Sequence, residues 1–198
     1  MKKTIVLVLT FCMLFMVPVS AACTHTVVSG DTLWKIAVRY KIGLSEIISA
    51  NKSLKNPNII NIGDKIEVPS VDESVDSYES EVIRLVNEIR KSYGLGALTA
   101  NWELSRVARY KSQDMHDNKY FSHTSPTYGT PFNMMKSFGI TYRTAGENIA
   151  MGYRTPKAVV DGWMNSSGHR ANILNSSYKQ IGVGYVADGN YWTQMFIG

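Results

Sequence analysis

Two histidines and a glutamate stand in three polar segments that are far apart in the sequence. His123 lies in YFSHTSP (residues 120–126), Glu147 in GENIA (146–150) and His169 in GHRANIL (168–174). The glycine, serine and asparagine content of these segments predicts turns or loops. Because functional side chains are commonly carried on loops that a fold brings together, we expect the three side chains to line one cavity.

Three kinds of chemistry are open to this set. A His2Glu group can hold a divalent metal such as zinc and activate water. A histidine and a glutamate can also act as a base and its orienting group for a hydroxyl nucleophile, here Ser122 or Ser166. The third interpretation is that the side chains hydrogen-bond across loops and stabilise the fold. Neither an HExxH helix nor a GxSxG elbow occurs.

The elements around these segments are predicted to be helices on either side of an antiparallel pair of strands. Helical spacing of apolar residues is found in residues 79–93, in 101–118 and after Thr155 and Pro156. Residues 181–186 and 191–197 alternate in the β manner around a turn at Asp188 and Gly189. The fold class is α+β. We assign Trp163 and Trp192 to core packing, and His116 to a solvated helix face.

The amino terminus is predicted to be a secretory signal peptide, residues 1–22. Lys2 and Lys3 precede an apolar run over 5–17 that is followed by small residues up to Ala22. The run is shorter than the ~20 apolar residues of a membrane-spanning helix. Cys23 leaves an alternative, acylation as a lipoprotein and attachment to a membrane. Ordinary cleavage is favoured, because Ser20 stands where such sites usually carry leucine.

Cysteine content and net charge further restrict the kind of protein that this chain can be. After removal of Cys12 with the signal peptide, Cys23 is the one remaining thiol, so no intramolecular disulfide can form. A secreted chain without disulfides is typical of bacteria. The net charge of +5 falls to +3 when Lys2 and Lys3 are removed. No dense Lys/Arg run is present, so no nucleic-acid partner is expected.

A change of composition divides the remaining chain into two modules. Residues 69–80, PSVDESVDSYES, are acidic and serine-rich and lack apolar periodicity. We place a linker at 70–77, a small module at 24–69 and a large module at 78–198. The small module is predicted to fold as strand, helix, helix, strand, with a turn and helix cap before Leu33.

The small module resembles the LysM domain along its full length. The resemblance is carried by HTVVSGDTLWKIA and NPNIINIGDKIEVP. It implies binding of N-acetylglucosamine glycan, in peptidoglycan or chitin. The implied carbohydrate-binding residues are Gly30, Asp31, Thr32, Leu33, Asn58, Ile59, Ile60 and Asn61.

The composition of these two loops suits an N-acetyl sugar, which presents amide and hydroxyl groups beside a methyl group. Exposed backbone at Gly30 and short apolar walls at Ile59 and Ile60 match that chemistry. Each position also has a purely structural interpretation: Gly30 in a turn, Asp31 or Thr32 as a helix cap, and Ile60 in the core.

The large module resembles the CAP superfamily, the cysteine-rich secretory, antigen 5 and pathogenesis-related (SCP-like) proteins, in its bacterial form. The three motifs occur in the family's order over about residues 78–198. The resemblance implies an α-β-α sandwich and a cavity in which two histidines and two acidic residues can hold zinc. It carries over His123, Glu147 and His169 as metal ligands. The fourth ligand, in a W-x-x-E pattern, is replaced by Ser166 after Trp163, which weakens the case for a metal.

The expected function is therefore that of a secreted bacterial cell-wall or spore-envelope protein. Its LysM module binds peptidoglycan or a related N-acetylglucosamine polymer, and its CAP module serves as a binding or structural module. The alternative is a wall-tethered, metal-dependent hydrolase that uses the CAP cavity. No catalytic residue is assigned beyond the cavity candidates His123, Glu147 and His169. No cofactor is expected except, in the alternative, a divalent metal. The sequence does not identify a protein partner.

Overall fold

The structure is a computed structural model that describes residues 23–70 and 73–198. The predicted signal peptide lies outside the described residues, as do residues 71 and 72 of the predicted linker. In the described part of the chain, none of the helices combines the length and apolar character needed to cross a bilayer.

The small module confirms the predicted order of strand, helix, helix, strand. Its elements are β1 (Cys23–Thr26), α1 (Leu33–Tyr40), α2 (Leu44–Ala50) and β2 (Lys65–Val68). β1 pairs antiparallel with β2, with Cys23 opposite Val68. The Thr32 hydroxyl caps α1 by accepting from the N–H of Lys35, as a threonine at this position commonly does. The helices and strands enclose a small core centred on Ile36, Ile47 and Ile66.

The large module is a four-stranded sheet between two layers of helices, which confirms the predicted α-β-α sandwich. Its helices are α3 (Glu73–Ser92), α4 (Trp102–Asp117), α5 (Pro131–Ser137), α6 (Pro156–Asn165) and α7 (Ser167–Ile173). Its strands are β3 (Thr99–Ala100), β4 (Ala145–Met151), β5 (Gln180–Val186) and β6 (Tyr191–Ile197). The strand order is β3-β5-β6-β4, and β3 runs parallel to β5 while the other pairs are antiparallel.

Each face of the sheet has its own core. One core joins α4 and α5 to Met195 and Ile197 of β6. The other joins α3, α6 and α7 to the opposite side of β5 and β6, and both Trp163 and Trp192 are buried in it, as predicted. Helix α3 begins at Glu73, earlier than the predicted residue 79, because the apolar period continues upstream through Val75 and Tyr78, which pack on this core.

Helix α4 lies very close to β5. A Cβ atom added at Gly182 would overlap the backbone of Leu104 and Ser105, and one added at Gly184 would overlap the backbone of Ala108 and Arg109. Both glycines therefore permit a helix-to-sheet approach that a larger residue would prevent.

Polar contacts fix this approach. The Ser105 hydroxyl accepts from the N–H of Val183 at 3.1 Å. The Ser112 hydroxyl donates to the carbonyl of Gly184 at 3.0 Å and lies 2.9 Å from the Thr193 hydroxyl. The helix is thus held in register against both central strands.

A buried ion pair connects α3 to α4 and β5. Arg109 of α4 donates from Nε and Nη2 to the Glu79 carboxylate at 2.5–2.9 Å, and the N–H of Tyr185 donates to the same carboxylate at 3.1 Å. Burial raises the pKa of Glu79 to about 7, and the hydrogen bonds from Arg109 and Tyr185 act in the opposite direction.

His116 lies partly exposed in the last turn of α4, which confirms the prediction of a solvated helix residue, and it contacts two exposed aspartates. Its Nδ1 lies 2.6 Å from Asp117 Oδ1 and its Nε2 lies 3.1 Å from Asp188 Oδ2. Asp188 belongs to the predicted turn between β5 and β6, which the structure confirms. The hydrogen bonds to Asp117 and then Asp188 raise the pKa of His116. The contact joins the end of α4 to the hairpin.

We predict that Gly184→Ala lowers the free energy of unfolding by about 3 kcal/mol, because the new methyl group overpacks the contact between α4 and β5. Urea unfolding monitored by circular dichroism measures the change. The control is Gly96→Ala, where an added Cβ meets no atom within 4 Å, and which should stay within about 1 kcal/mol of the wild type. Equal unfolding midpoints for the two variants would contradict the proposed steric constraint.

Candidate functional site

The loop that carries His123 is attached to α4 by a buried lysine. The amine of Lys111 donates to the Tyr120 hydroxyl at 3.0 Å and to the carbonyls of Ser122 and His123 at 2.7 and 3.0 Å. All three donors of the amine are used. Burial lowers the pKa of Lys111, and the charges of Glu147 and Asp114 act in the opposite direction. Lys111 therefore fixes the backbone that presents the His123 side chain.

One turn later on the same helix, Asp114 organises the rest of the loop. Its carboxylate accepts from the hydroxyls of Tyr120, Ser125 (2.7 Å) and Thr127 (2.6 Å) and from the amide of Asn118 (2.8 Å). Burial acts to raise the pKa of Asp114, but these hydrogen bonds outweigh it and hold the pKa below its ordinary value.

Glu147 comes from a strand and not from a turn, which corrects the sequence-based expectation for residues 146–150. The segment forms most of β4. Thr144 and Gly198 exchange both backbone hydrogen bonds, and the N–H of Gly152 donates to the carbonyl of Asn190. Even-numbered positions of β4 therefore bond to β6, and the backbone of odd-numbered positions faces the outer edge of the sheet.

The carbonyl groups on this outer edge are capped by side chains. The carbonyls of residues 145, 147 and 149 accept from Tyr178 Oη (3.1 Å), Asn172 Nδ2 (3.2 Å) and Trp163 Nε1 (3.2 Å). Such capping blocks the addition of another strand. The outer edge of β4, next to α7, therefore pairs with no further strand of the described chain and forms one wall of the cavity that holds Glu147.

His123 and Glu147 meet in this cavity. The Nδ1 atom of His123 lies 2.7 Å from Oε1 of Glu147, whose side chain is only 2% exposed. The other oxygen, Oε2, is buried and has no hydrogen-bond partner among the described residues. The cavity has a volume of about 380 Å³, and Thr130, Phe132 and Asn172 are among its other lining residues. The carboxylate holds the imidazole in one orientation and keeps one acceptor free.

His169 lies beside this pair and not in the wall of the cavity. It is carried on α7, which corrects the expectation that residues 168–174 form a turn. Burial, and then the charge of nearby His123, lower the pKa of His169. Its backbone carbonyl accepts from Asn148 Nδ2 at 3.1 Å. The structure thus brings all three predicted residues into one region, but only His123 and Glu147 are in contact.

The arrangement does not fit a metal site as the resemblance implied it. Nδ1 of His123 is directed at Glu147, and within residues 23–70 and 73–198 no three His, Cys, Asp or Glu side chains are placed to hold one ion. Ser166, at the position of the expected fourth ligand, lies between α6 and α7. The assignment of His123, Glu147 and His169 as ligands stays a prediction.

The nucleophile interpretation gains no geometric support. The Ser122 hydroxyl accepts from the N–H of Thr124 at 3.2 Å, which is a local turn contact. In the described part of the chain, neither this hydroxyl nor that of Ser166 has a hydrogen bond to His123 or His169.

A second candidate site lies at one end of the small module, where two loops meet. The N–H of Val27 donates to the carbonyl of Asp64, and the N–H of Gly63 donates to the carbonyl of Val27, both at 2.9 Å. These bonds join the loop before α1 to the loop before β2. Five of the eight predicted glycan-binding residues are exposed there: Gly30, Thr32, Asn58, Ile59 and Asn61.

The other three predicted residues point inward. Leu33 is buried in the core of the module, and Ile60 packs against it. The side chain of Asp31 is 3% exposed. It lies 2.8 Å from His25 Nε2 and accepts from the N–H of Val28 at 3.0 Å and from Arg39 at 3.2 Å.

The hydrogen bond to His25 is the main cause of the lowered pKa of Asp31. Asp31 therefore shapes the first loop from within.

Sequence reasoning missed two exposed apolar residues at this end, Val28 and Ile62. They flank the hydrogen-bonded pair Val27 and Gly63, and Ile62 is 73% exposed, close to the 63% of Ile59. The signal for Val28 was the period of two that continues from β1 through residues 25–28, which places Val28 on the face opposite the buried Val27. Val28, Ile59 and Ile62 thus add exposed apolar side chains to the two joined loops.

Two family models match separate parts of the chain. The model of the cysteine-rich secretory protein (CAP) family matches residues 83–196, and the LysM domain model matches residues 25–69. The chain belongs to the CAP family and carries a LysM domain.

Two individual relatives match different shares of the chain. The uncharacterized protein YkwD of Bacillus subtilis is 59% identical over 129 residues, which is 65% of this chain and 50% of YkwD. The spore coat assembly protein ExsA of Bacillus cereus is 48% identical over 46 residues, which is 23% of this chain and 7% of ExsA. The chain spans half or less of the length of these relatives.

A solved structure supports the fold of the large module. An extracellular protein of Bacillus anthracis that contains an SCP domain superposes with a TM-score of 0.60 and 33% identity. The match covers 68% of this chain and 46% of that protein.

We predict that Asp114→Asn lowers the free energy of unfolding by about 2 kcal/mol, because an amide NH2 group would face hydroxyl donors that lose their acceptor. Hydrogen exchange should accelerate at residues 120–128. The lowered pKa means that the carboxylate stabilises the fold above its unfolded-state pKa and loses this effect as pH falls through the folded-state pKa. The loss of stability on acidification should therefore be smaller in the variant.

The control for this experiment is Asp161→Asn, which removes an exposed ion pair with Lys157 and should change stability by less than about 0.5 kcal/mol. Unchanged exchange at residues 120–128 in Asp114→Asn would show that the carboxylate does not hold the loop.

Proposed function

We propose that this protein is secreted to the bacterial cell wall or spore envelope, where its LysM module binds the N-acetylglucosamine glycan of peptidoglycan and its CAP module serves as a binding or structural module. The observation that carries the proposal is the pair of joined loops at one end of the LysM module. There, exposed backbone and amide groups lie next to exposed apolar side chains.

The chemistry of the two loops matches an N-acetyl sugar. Gly30 has a positive φ of 85° and no atom within 4 Å of an added Cβ, so the space beside its Cα is open to a ligand, while its carbonyl accepts from the Lys35 amine at 2.7 Å. Asn58 and Asn61 offer amide groups, and Ile59 offers an apolar surface for the acetyl methyl group. A site of this kind combines a few polar contacts, which set orientation, with apolar contact area.

Three observations support the proposed location. Residues 1–22 have the charge and apolar pattern of a signal peptide. The LysM relative in Bacillus cereus is a spore coat assembly protein, and the structural relative in Bacillus anthracis is an extracellular protein. A chain anchored to glycan through LysM would hold its CAP module at the same surface, where even a weak second contact becomes effective.

Binding is favoured over hydrolysis in the CAP cavity because the parts needed for hydrolysis do not converge. His123 is oriented by Glu147, but no hydroxyl nucleophile contacts it among the described residues, and no metal ligand set is formed there. The free acceptor of Glu147 and the exposed ring of Phe132 suit a ligand that brings a hydrogen-bond donor and an apolar group.

Sedimentation with purified peptidoglycan tests the glycan proposal. Ile59→Ser should weaken binding by about tenfold, since about 1.4 kcal/mol is a reasonable loss for removing one apolar contact from a small site. The matched control is Val38→Ser, which changes an exposed apolar residue of α1 outside the two loops. If Ile59→Ser and Val38→Ser bind as the wild type does, the two loops are not the glycan site. If the wild-type protein fails to sediment, wall binding is wrong.

The hydrolase alternative is tested by comparing the wild type with His123→Ala and Glu147→Ala on peptide, ester and glycan substrates, together with the metal content of the purified protein. We expect no turnover that depends on these residues and no change in peptidoglycan binding. Turnover that is lost in both variants would replace the binding role of the CAP module by the hydrolase alternative.

A further inference from the structure

We propose that the outer face of α4 is a docking surface for the LysM module of the same chain, so that the two modules form one unit with the glycan loops directed away from the CAP module. The docking does not depend on glycan binding. Only its consequence, a glycan site that stays accessible, rests on the proposed function.

The contact between the modules is centred on one arginine. Nε and Nη2 of Arg106 on α4 donate to the two oxygens of Glu46 on α2, at 2.6 and 3.0 Å, and Nη2 also donates to the Ser45 hydroxyl at 2.9 Å. A two-point contact of this kind fixes orientation as well as distance. It is the geometry of a specific interface.

Aromatic side chains of the CAP module hold the arginine in place. The guanidinium carbon of Arg106 lies 5.4 Å from the ring centre of Tyr110 and 5.3 Å from that of Phe138. Contacts of a guanidinium with aromatic rings are favourable at this range. Arg106 is therefore oriented towards the LysM module by its own module.

Because the ion pair of Arg106 and Glu46 is mostly buried, each partner depends on the other. The side chains of Arg106 and Glu46 are mostly covered. Burial acts to raise the pKa of Glu46, but the hydrogen bonds from Arg106 and Ser45 and the charge of Arg106 together outweigh it and keep the pKa below its ordinary value. If one partner were removed, the other would be left as a partly buried charge without compensation, which is strongly unfavourable.

A glycine at the start of α2 is an independent sign of this contact. Gly43 has a φ of −77°, which any residue can adopt. A Cβ atom at this position would overlap the guanidinium of Arg106. The glycine therefore serves the approach of Arg106 and not a special backbone conformation.

A cleft of about 310 Å³ runs beside the ion pair, and its walls come from both modules. Ile42 and Pro69 contribute from the LysM side, and Tyr110, Gln113 and Tyr185 contribute from the CAP side. Residues of both modules thus line the space beside the ion pair.

The path of the chain sets the direction of the glycan loops. β1 runs from Cys23 towards the loop before α1, and β2 runs back from the loop that is hydrogen-bonded to Val27 to Val68, which pairs with Cys23. Cys23, the turn at 41–43 and the end of β2 therefore lie at one end of the module, next to the CAP module. The loops that hold Gly30 and Ile59 lie at the other end.

The short connection favours docking. Four residues, 69–72, separate the end of β2 from the start of α3. A connection of this length gives the two surfaces a high effective concentration, on the order of millimolar or above. A modest interaction, such as the ion pair of Arg106 and Glu46, is then sufficient to keep the modules together.

Backbone ¹⁵N relaxation of the full chain tests the docking. In the wild type, amides of both modules should report one rotational correlation time. Arg106→Glu should break the ion pair with Glu46, so that LysM amides report a shorter rotational correlation time than CAP amides. The combination of Arg106→Glu with Glu46→Arg should restore the shared value. Arg84→Glu, which changes an exposed arginine of α3, is the control and should leave it unchanged.

Two results would overturn the docking: separate correlation times in the wild type, or a shared time that persists in Arg106→Glu. Glu46→Gln is a milder variant that should give the same separation if Arg106→Glu does not fold. The orientation has its own test, because Arg106→Glu should sediment with peptidoglycan as the wild type does. Loss of sedimentation in this variant alone would overturn the outward direction of the loops. Failure of the wild type to sediment would overturn the proposed function and leave the docking result standing.

Discussion

Helix α4 lies against β5 at a distance that only glycine permits at positions 182 and 184. From this fixed helix, Arg109 reaches Glu79 of α3, Lys111 and Asp114 hold the loop of His123, and Arg106 reaches the LysM module. Since one helix carries all these side chains, its position on the sheet determines where the cavity and the LysM module lie. A shift of α4 would move both.

The charged groups that α4 buries serve to specify positions more than to add stability. A buried ion must recover its lost hydration through good geometry, and a buried ion pair is often no more stabilising than apolar packing. Lys111 is fully buried with all three donors engaged, and Asp114 accepts four hydrogen bonds. A network that is satisfied in this way defines one loop conformation. The same logic applies in the LysM module, where Asp31 shapes the loop before α1 from inside.

Much of the fold could be predicted, because helix caps and apolar periods are local signals: α4 between Asn101 and Asn118, and the β5–β6 hairpin, agree with the sequence. β4 and α7 could not, because their polar residues find partners far away, such as Asn148 with Gln194. The sequence also predicted that His123 and Glu147 come together, but not that Asp31 and Leu33 point inward. Lys111 had a visible signal, since it occupies a position of the apolar stripe of α4 that a charged residue rarely takes.

The proposed function depends on glycan recognition by the LysM loops, in which the CAP cavity takes no part. Titration of the ¹⁵N-labelled full chain with a short N-acetylglucosamine oligomer tests this claim most directly. We expect amide shift changes confined to residues 28–33 and 58–63. Shift changes centred on His123 and Glu147, or none at saturating oligomer, would contradict it.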